Sequence, residues 1–326
     1  MGILRHITTA LLLLSLASCY SDFEPDVKSE PVLCLNSCIT AGMPIEVSVT
    51  RTWLYSEPNG QHNNAVNDAS VTITANGERV PADYLPHEGD IIRIEAESPT
   101  YGTAWAEVEV PRKVEFTKTD TQINDGNTFV GETEDGLVTD WLSFGLRASI
   151  GIKDDPTRDN YFRVGSYGHN PSGDLWPETD IYLGLGSLRY EAEPIFGEHI
   201  GVFESIMGSS ESATAFFTDR QFMGSTYNLT LLYNDFFYLV TTPELDPAMT
   251  DCGFTIMVYN ISKSFYDWYL YLYNQNEGPY GDFGGLGLGD PMWGYSNVST
   301  GAGIVVAQTP SVIEVDFGPY IREALM

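Results

Sequence analysis

Short runs in which apolar and polar residues alternate constrain the fold of this chain more than any other feature. Residues 69–75, 92–97 and 104–110 are such runs. Alternation places every second side chain on one face of a β-strand, so each run predicts a strand with one buried face. Asn76-Gly77 follows the first run. This pair predicts a tight hairpin, because both central residues of the turn need positive φ.

Longer runs follow from Lys113 onward. Residues 142–152 predict a long strand with one apolar face, and residues 161–164 predict its return strand after a turn at 153–160. Residues 119–136 are polar and rich in Gly and Asp, and we expect a loop there. Further strands are expected up to the two closing runs, 304–308 and 312–317.

One segment has helical periodicity. Ser262 can cap a helix, and apolar residues recur behind it at i, i+3, i+4 and i+7: Phe265, Trp268, Tyr269 and Leu272. We therefore predict a helix over 262–274 whose aromatic face packs over a sheet edge.

The predicted fold class is all-β. Residues 31–112 are expected to form a small β-sandwich of immunoglobulin-like or carboxypeptidase-regulatory-like kind. Residues 113–326 are expected to form a larger antiparallel β-sandwich or barrel domain with one packed helix. Cys34 and Cys38 lie four apart in a strand-like run, and we expect them to be small buried core residues.

Composition excludes two classes of protein. Hydrophobic residues make up 43% of the chain and aromatic residues 13%, so the chain can build packed cores and disorder is excluded. Asp and Glu number 45 against 16 Lys and Arg, a net charge of −29. A surface with this charge repels phosphate backbones, so no nucleic-acid partner is expected.

The N-terminus has the features of a lipoprotein signal. Residues 7–17 are apolar, too few to span a bilayer, and Leu16-Ala17-Ser18 precedes Cys19. We predict that residues 1–18 are removed, that Cys19 carries acyl chains, and that residues 19–30 are a tether to the outer membrane. The acidic residues just after Cys19 resemble a surface-export signal and indicate a location on the outer face.

The usual signatures of enzymes are absent from the sequence. It contains five His, no HExxH pair and no Gly-x-Ser-x-Gly elbow, so we expect no enzymatic activity and no cofactor. Four oxygen-bearing residues crowd the turn at 153–160: Asp154, Asp155, Asp159 and Asn160. Such a turn could hold calcium, but Asp-Pro and Asp-Asn are also ordinary turn chemistry.

Aromatic residues in long loops are the candidate binding residues. Trp176 lies in one such loop, and Tyr280, Phe283 and Trp293 lie in another over residues 275–300. Exposed aromatic rings in loops can stack on sugars or anchor a partner. The alternative is that they fold back onto the core.

Several stretches together resemble one family. They are VLCLNSCITAGMPIEVSVTRTW at 32–53, Asn67 to Val71 before the Asn-Gly turn, KDDPTRDNYFRV at 153–164, FFTDRQFMGSTYNL at 216–229 and GYSNVSTGAGIVVA at 294–307. In this order they resemble the Bacteroidota outer-membrane lipoproteins known only as domain of unknown function 4249. The resemblance implies a protein encoded beside TonB-dependent transporters that assists nutrient uptake, and it brings no catalytic residue.

The expected function is therefore that of a surface-exposed outer-membrane lipoprotein. It would act as a non-enzymatic accessory to a TonB-dependent transporter, by presenting ligand or by docking on the barrel. Two alternatives remain open: a stand-alone lipoprotein that binds a glycan or peptide, and a structural lipoprotein of envelope assembly.

Overall fold

The fold is described from a computed structural model, which covers residues 30–53, 64–81, 83–132, 138–169, 187–189, 192–197, 215–240, 252–276 and 294–324. Two α-helices lie in these residues, α1 Lys263–Asn276 and α2 Gly318–Ala324. Neither has the length and apolar character needed to cross a bilayer. The strands, in chain order, are β1 Leu33–Thr40, β2 Ser48–Arg51, β3 Ser70–Ala75, β4 Glu78–Arg79, β5 Ile91–Ser98, β6 Gly102–Glu109, β7 Glu115–Glu132, β8 Val138–Lys153, β9 Tyr161–His169, β10 Ser187–Leu188, β11 Phe216–Thr218, β12 Thr226–Val240, β13 Gly253–Ile261 and β14 Ala302–Asp316.

These strands form three open sheets. The largest has the order β11-β9-β13-β14-β1-β2, and we call it the shared sheet. The small sheet has the order β4-β3-β5-β6, and the large sheet has the order β10-β12-β8-β7. All strand pairs are antiparallel except β1 with β14. The predicted all-β, mainly antiparallel fold is thus confirmed, with open sheets in place of a barrel.

The strand β14 joins two sandwiches. Its first half, from Ala302 to Gln308, runs parallel to β1, and its second half, from Gln308 to Asp316, runs antiparallel to β13. Fifteen residues of strand extend about 50 Å. One continuous strand therefore passes from the small sandwich into the large one.

Each half of the shared sheet covers a different sheet. One core lies between the shared sheet and the small sheet, with Leu35, Ile94 and Val305 fully buried. The other core lies between the shared sheet and the large sheet, and it includes Ile150 and Phe254. The core of the small sandwich contains residues from both sides of the predicted domain boundary at residue 112. The shared sheet therefore includes strands from both predicted domains.

Two glycines let the chain ends approach. A Cβ on Gly301 would lie 2.6 Å from the Leu33 carbonyl oxygen. A Cβ on Gly303 would lie 2.2 Å from the Leu35 carbonyl oxygen, and Gly303 has φ +109°, where other residues are strained. Pairing of β14 with β1 therefore requires the two glycines of the Gly-x-Gly-Ile pattern at 301–304.

Local predictions had mixed outcomes. Asn76 and Gly77 both have positive φ, and β3 and β4 form the predicted two-residue hairpin. The helix at 262–274 is confirmed as α1, with Ser262 Oγ accepting the Phe265 amide at 3.3 Å. Helix α2 was not predicted.

The predicted loop over 119–136 is wrong for the residues described, because Glu115–Glu132 forms strand β7. This strand is the edge of the large sheet, and most of its side chains are exposed on both faces. An edge strand with so little burial has no apolar alternation to reveal it.

The predicted burial of Cys34 and Cys38 is also wrong. In β1 the alternate residues Leu33, Leu35 and Ile39 face the core, and the two cysteines face outward. Cys34 is half-buried and Cys38 is exposed. Since strand neighbours alternate, the more apolar leucine and isoleucine side chains decide which face is buried.

Replacement of Gly303 by alanine tests the role of the parallel pair. We expect Gly303→Ala to lower the free energy of unfolding by more than about 3 kcal/mol, because it adds both a backbone clash and φ strain. Gly42→Ala is the matched control, since Gly42 has φ +76° and open space around it. The control should cost about 1–2 kcal/mol. Urea unfolding measures both, and equal losses would contradict the clash.

Candidate functional site

None of the five predicted site residues lies in the part of the chain that the structure describes. They are Cys19, Trp176, Tyr280, Phe283 and Trp293. The roles given to them from the sequence stay predictions. The sites described below are therefore built from other residues.

A buried polar network joins two of the stretches that carry the family resemblance. Asn160 follows the turn after β8, and its backbone N–H donates to Asp219 Oδ2 at 2.6 Å. Asn160 Nδ2 lies 3.1 Å from both Asp154 Oδ1 and Asp219 Oδ2. Asp154 Oδ2 also accepts the Gly224 N–H at 2.5 Å. The three side chains are buried, so these bonds hold the turn at 153–160 against the segment at 216–229.

Asn260 extends the network to the small sandwich. Its Nδ2 donates to the Arg112 carbonyl oxygen at 2.9 Å and lies 3.4 Å from Asn160 Oδ1. Arg158 adds an ion pair with Glu109 of β6 at 3.1 Å. The turn, the shared sheet and the small sheet therefore meet at one junction.

One carboxyl group of this junction, that of Asp219, does not behave like an ordinary surface acid. Burial is the main cause that raises the pKa of Asp219, and the nearby Asp154 carboxyl group raises it further. The hydrogen bonds from Asn160 oppose this rise. Asp219 thus retains its proton to higher pH than a free aspartate.

The carboxylates of the turn at 153–160 do not form one cluster. Within the described residues, no group of three or more His, Cys, Asp or Glu side chains could hold a metal ion. Asp155 accepts bonds from Thr157, and Asp159 is exposed. The oxygens of Asp154 and Asp219 already accept amide N–H groups. The arrangement favours the alternative of ordinary turn chemistry.

Two shallow clefts of about 510 and 370 Å³ flank the junction. They share Arg112, Arg158, Asn160 and Asn260 in their walls. Cationic and acidic side chains alternate around them, and Lys153 pairs with Glu115 at 3.1 Å. The wall of the 510 Å³ cleft has three cationic and three acidic side chains, and that of the 370 Å³ cleft has four cationic and three acidic ones. Neither cleft therefore has a large excess of one sign that would attract an ion.

A larger and more apolar groove of about 620 Å³ lies on the outer face of the shared sheet. We call it the helix groove, because α1 forms one wall and the β1–β2 edge forms the other. Its apolar lining is Phe265, Trp268, Ile304, Val306 and Val47, and its polar lining is Asn36, Ser37, Cys38, Glu46 and Ser48. An apolar cavity with a few polar groups is the usual form of a small-ligand site.

Arg163 supplies a positive charge beside the helix groove. Its guanidinium lies 3.8 Å from the centre of the Tyr259 ring and donates to Gln308 Oε1 at 2.9 and 3.1 Å. Desolvation raises the pKa of the Cys38 thiol at the rim, and the charge of Arg163 opposes this. Cys38 is thus held as a thiol, which suits apolar contact and not nucleophilic attack.

Sequence reasoning missed this groove for a specific reason. The aromatic face of α1 was assigned to packing, and it does pack: Phe265 and Tyr266 form a buried cluster with Tyr259, Ile261 and Val306. The helix covers the middle strands of the shared sheet and leaves β1 and β2 open. Only the strand order, which brings β1 beside β14, shows that β1 and β2 form a second wall opposite α1.

The raised pKa of Asp219 gives a prediction. We expect Asp219→Asn to be at least as stable as the parent at pH 7, because asparagine still accepts from Asn160 and cannot repel Asp154. The folded pKa of Asp219 is raised above the ordinary aspartate value of 3.8. The stability that its proton contributes is fully present below that value and is lost as pH rises through the folded pKa. The advantage of the variant should therefore shrink on acidification, as measured by urea unfolding between pH 4 and 8.

Asn160→Ala is the control for this experiment. It leaves both buried carboxyl groups without their side-chain amide partner and should cost about 2–4 kcal/mol at pH 7. The cost should be smaller at low pH, because the bonds from Asn160 hold the pKa of Asp219 down. An Asp219→Asn variant that is less stable than the parent by a constant amount at every pH would contradict the raised pKa.

Comparison with known proteins identifies a family. The family described as a domain of unknown function, DUF4249, matches residues 20–313, which is most of the chain. No curated protein and no solved structure matches. The match includes every stretch on which the sequence resemblance rests, from strand β1 to the Gly-x-Gly-Ile start of β14. The chain therefore belongs to the DUF4249 family.

Proposed function

We propose that this protein is a lipoprotein held on the outer face of the outer membrane through Cys19. There it acts as a non-enzymatic accessory of a TonB-dependent transporter. It presents ligand to the barrel or docks on it. The sequence support is the lipoprotein signal, the acidic residues after Cys19 and the family resemblance.

The observation that carries the proposal is the direction of β1 and β14. The tether at residues 19–30 spans at most about 40 Å and leads into β1 at Leu33. Strand β14 starts beside the same end of β1 and runs the same way. A lipid on Cys19 would thus place the small sandwich next to the membrane and the large sandwich away from it. Such an orientation suits a protein that works beside a membrane-embedded partner.

The helix groove supports the ligand-presentation form of this role. It lies on the outer face of the shared sheet, beside the first half of β14. Its apolar walls and few polar groups fit a small amphipathic nutrient better than an ion or a nucleic acid. Bound there, a ligand would be close to the membrane and open on one side.

Lipid attachment has a direct test. Cells fed an alkyne palmitate analogue should label the parent protein and not Cys19→Ala, which should also leave the membrane fraction. Cys34→Ala is the matched control and should keep both the label and the membrane location, because Cys34 is a half-buried strand residue. Label on Cys19→Ala would refute the anchor.

Association with a transporter is tested on the anchored form. We expect a C-terminally tagged parent, extracted in mild detergent, to co-purify with a TonB-dependent barrel identified by mass spectrometry. In a separate test on intact cells, added proteinase K should degrade the parent, because the proposal places the protein on the cell surface. Protection in intact cells, or purification without any barrel, would refute the accessory role.

A further inference from the structure

The outer face of the large sheet carries an aromatic pair that the core does not use. Phe129 of β7 and Trp141 of β8 are direct register partners on the face opposite the core. A Cβ on Gly131 would lie 2.6 Å from Trp141 Cδ1 and 3.4 Å from Phe129 Cε2. The indole therefore rests on the backbone at Gly131, beside the phenyl ring. Phe129 is 43% exposed and Trp141 is half-buried, so the pair presents ring surface to solvent.

Three asparagines adjoin this pair. A Cβ on Gly145 of β8 would lie 3.2 Å from Asn124 Nδ2 and 3.5 Å from Asn234 Oδ1. Amides from β7 and β12 thus approach the same point from opposite sides. Asn127 lies between them and the aromatic pair, opposite Ser143. Asn124 and Asn127 are exposed and Asn234 is half-buried, and no hydrogen bond of their side chains is seen among the described residues.

Irregularities in two strands set the direction of these asparagine side chains. Strand β7 has a register shift between Asn124 and Asn127, and β12 has one between Tyr233 and Phe236. Both shifts lie beside residues 144–145 of β8, so two bulges face each other across one strand. Tyr320 of α2 fixes the first bulge, since its Oη accepts the Gly126 N–H at 2.6 Å and donates to the Asn124 carbonyl oxygen at 3.3 Å. Paired bulges that redirect side chains are a recurrent device of binding sites in sheets.

The charge of this face differs from that of the chain. Acids outnumber bases by 45 to 16 overall. The charged side chains described on this face are nearly balanced: Glu115 and Asp120 against Lys118, Arg147 and Lys153. The described side chains of this face therefore give no strong preference for an ionic ligand.

From these observations we propose that Phe129, Trp141, Asn124, Asn127 and Asn234 bind a neutral oligosaccharide. We call these five residues the amide face. Sugar rings offer C–H surfaces that stack on aromatic rings, and their hydroxyl groups match amides that both donate and accept. Trp141 and Gly145 are four residues apart, about 13 Å along the strand, which is the length of a short oligosaccharide.

The amide face also lies where a glycan could reach it. Phe144, between Trp141 and Gly145, packs on Phe317 and Tyr320 at the far end of β14. This end is opposite to the one where the chain enters β1. The proposal does not depend on lipid anchoring, but an anchored protein would present this face away from the membrane.

The test is calorimetric titration of the detergent-purified full chain with cellohexaose, xylohexaose, mannohexaose and maltohexaose. We expect at least one of the four to bind. Trp141→Ala should weaken that binding at least about tenfold, which corresponds to the loss of one stacking contact. Trp53→Ala is the matched control, because Trp53 is 48% exposed on the small sandwich, and it should bind like the parent.

Asn124→Ala serves as a second variant that leaves the aromatic pair intact, and it should weaken binding severalfold. Its side chain is exposed, so it preserves folding if Trp141→Ala does not. Binding by none of the four sugars, or equal binding by the parent and Asn124→Ala, would overturn the proposal. An equal loss in Trp53→Ala would overturn the assignment to this face.

Discussion

The parallel pairing of β1 with β14 is the interaction on which the rest of the structure depends. It joins residues near the start of the described chain to residues near its end, as in the bond from Ile304 N to Asn36 Oδ1 at 3.1 Å. Without it the small sheet would lose the strands that cover its core. Gly301 and Gly303 make the pairing possible, because any side chain there would collide with the backbone of β1. Two glycines thus determine whether the chain forms its small sandwich.

The same pairing places the candidate sites. By setting β1 beside β14, it creates the open wall of the helix groove next to α1. By continuing β14 into the large sandwich, it lets Phe317 and α2 pack beneath the amide face. The buried junction of Asp154, Asn160 and Asp219 holds the turn between these regions. The polar groups of the junction satisfy one another's hydrogen bonds, whereas no such bond is described among the asparagine side chains of the amide face.

Sequence reasoning reached those features that depend on local pattern. Alternation located β3, β5, β6 and β8, Asn76-Gly77 located a turn, and Ser262 located the start of α1. It failed where burial is set by distant partners. Strand β7 has no periodic signal because it is an edge, and the outward direction of Cys38 follows from a competition with Leu35 and Ile39 for the core.

The site residues show the same division. The order of the family stretches could be read from the sequence, but not that Asn160 and the segment at 216–229 meet. Trp141 occupies a polar-face position of an alternating strand. A large aromatic residue at such a position can be recognised from the sequence alone. The two bulges beside Gly145 could not be foreseen, because a register shift is a property of a strand pair and not of either strand alone.

The pairing of β1 with β14 also has a consequence for the order of folding. A ribosome delivers β1 long before β14, and the two partners are separated by 268 residues at the Asn36–Ile304 bond. Contacts of such sequence separation form slowly, because the intervening chain must first be closed into a loop. The small sandwich, although first to be synthesised, is therefore the last to be completed. Until then Leu33, Leu35 and Ile39 are without their cover, so the unfinished chain exposes apolar surface that favours aggregation.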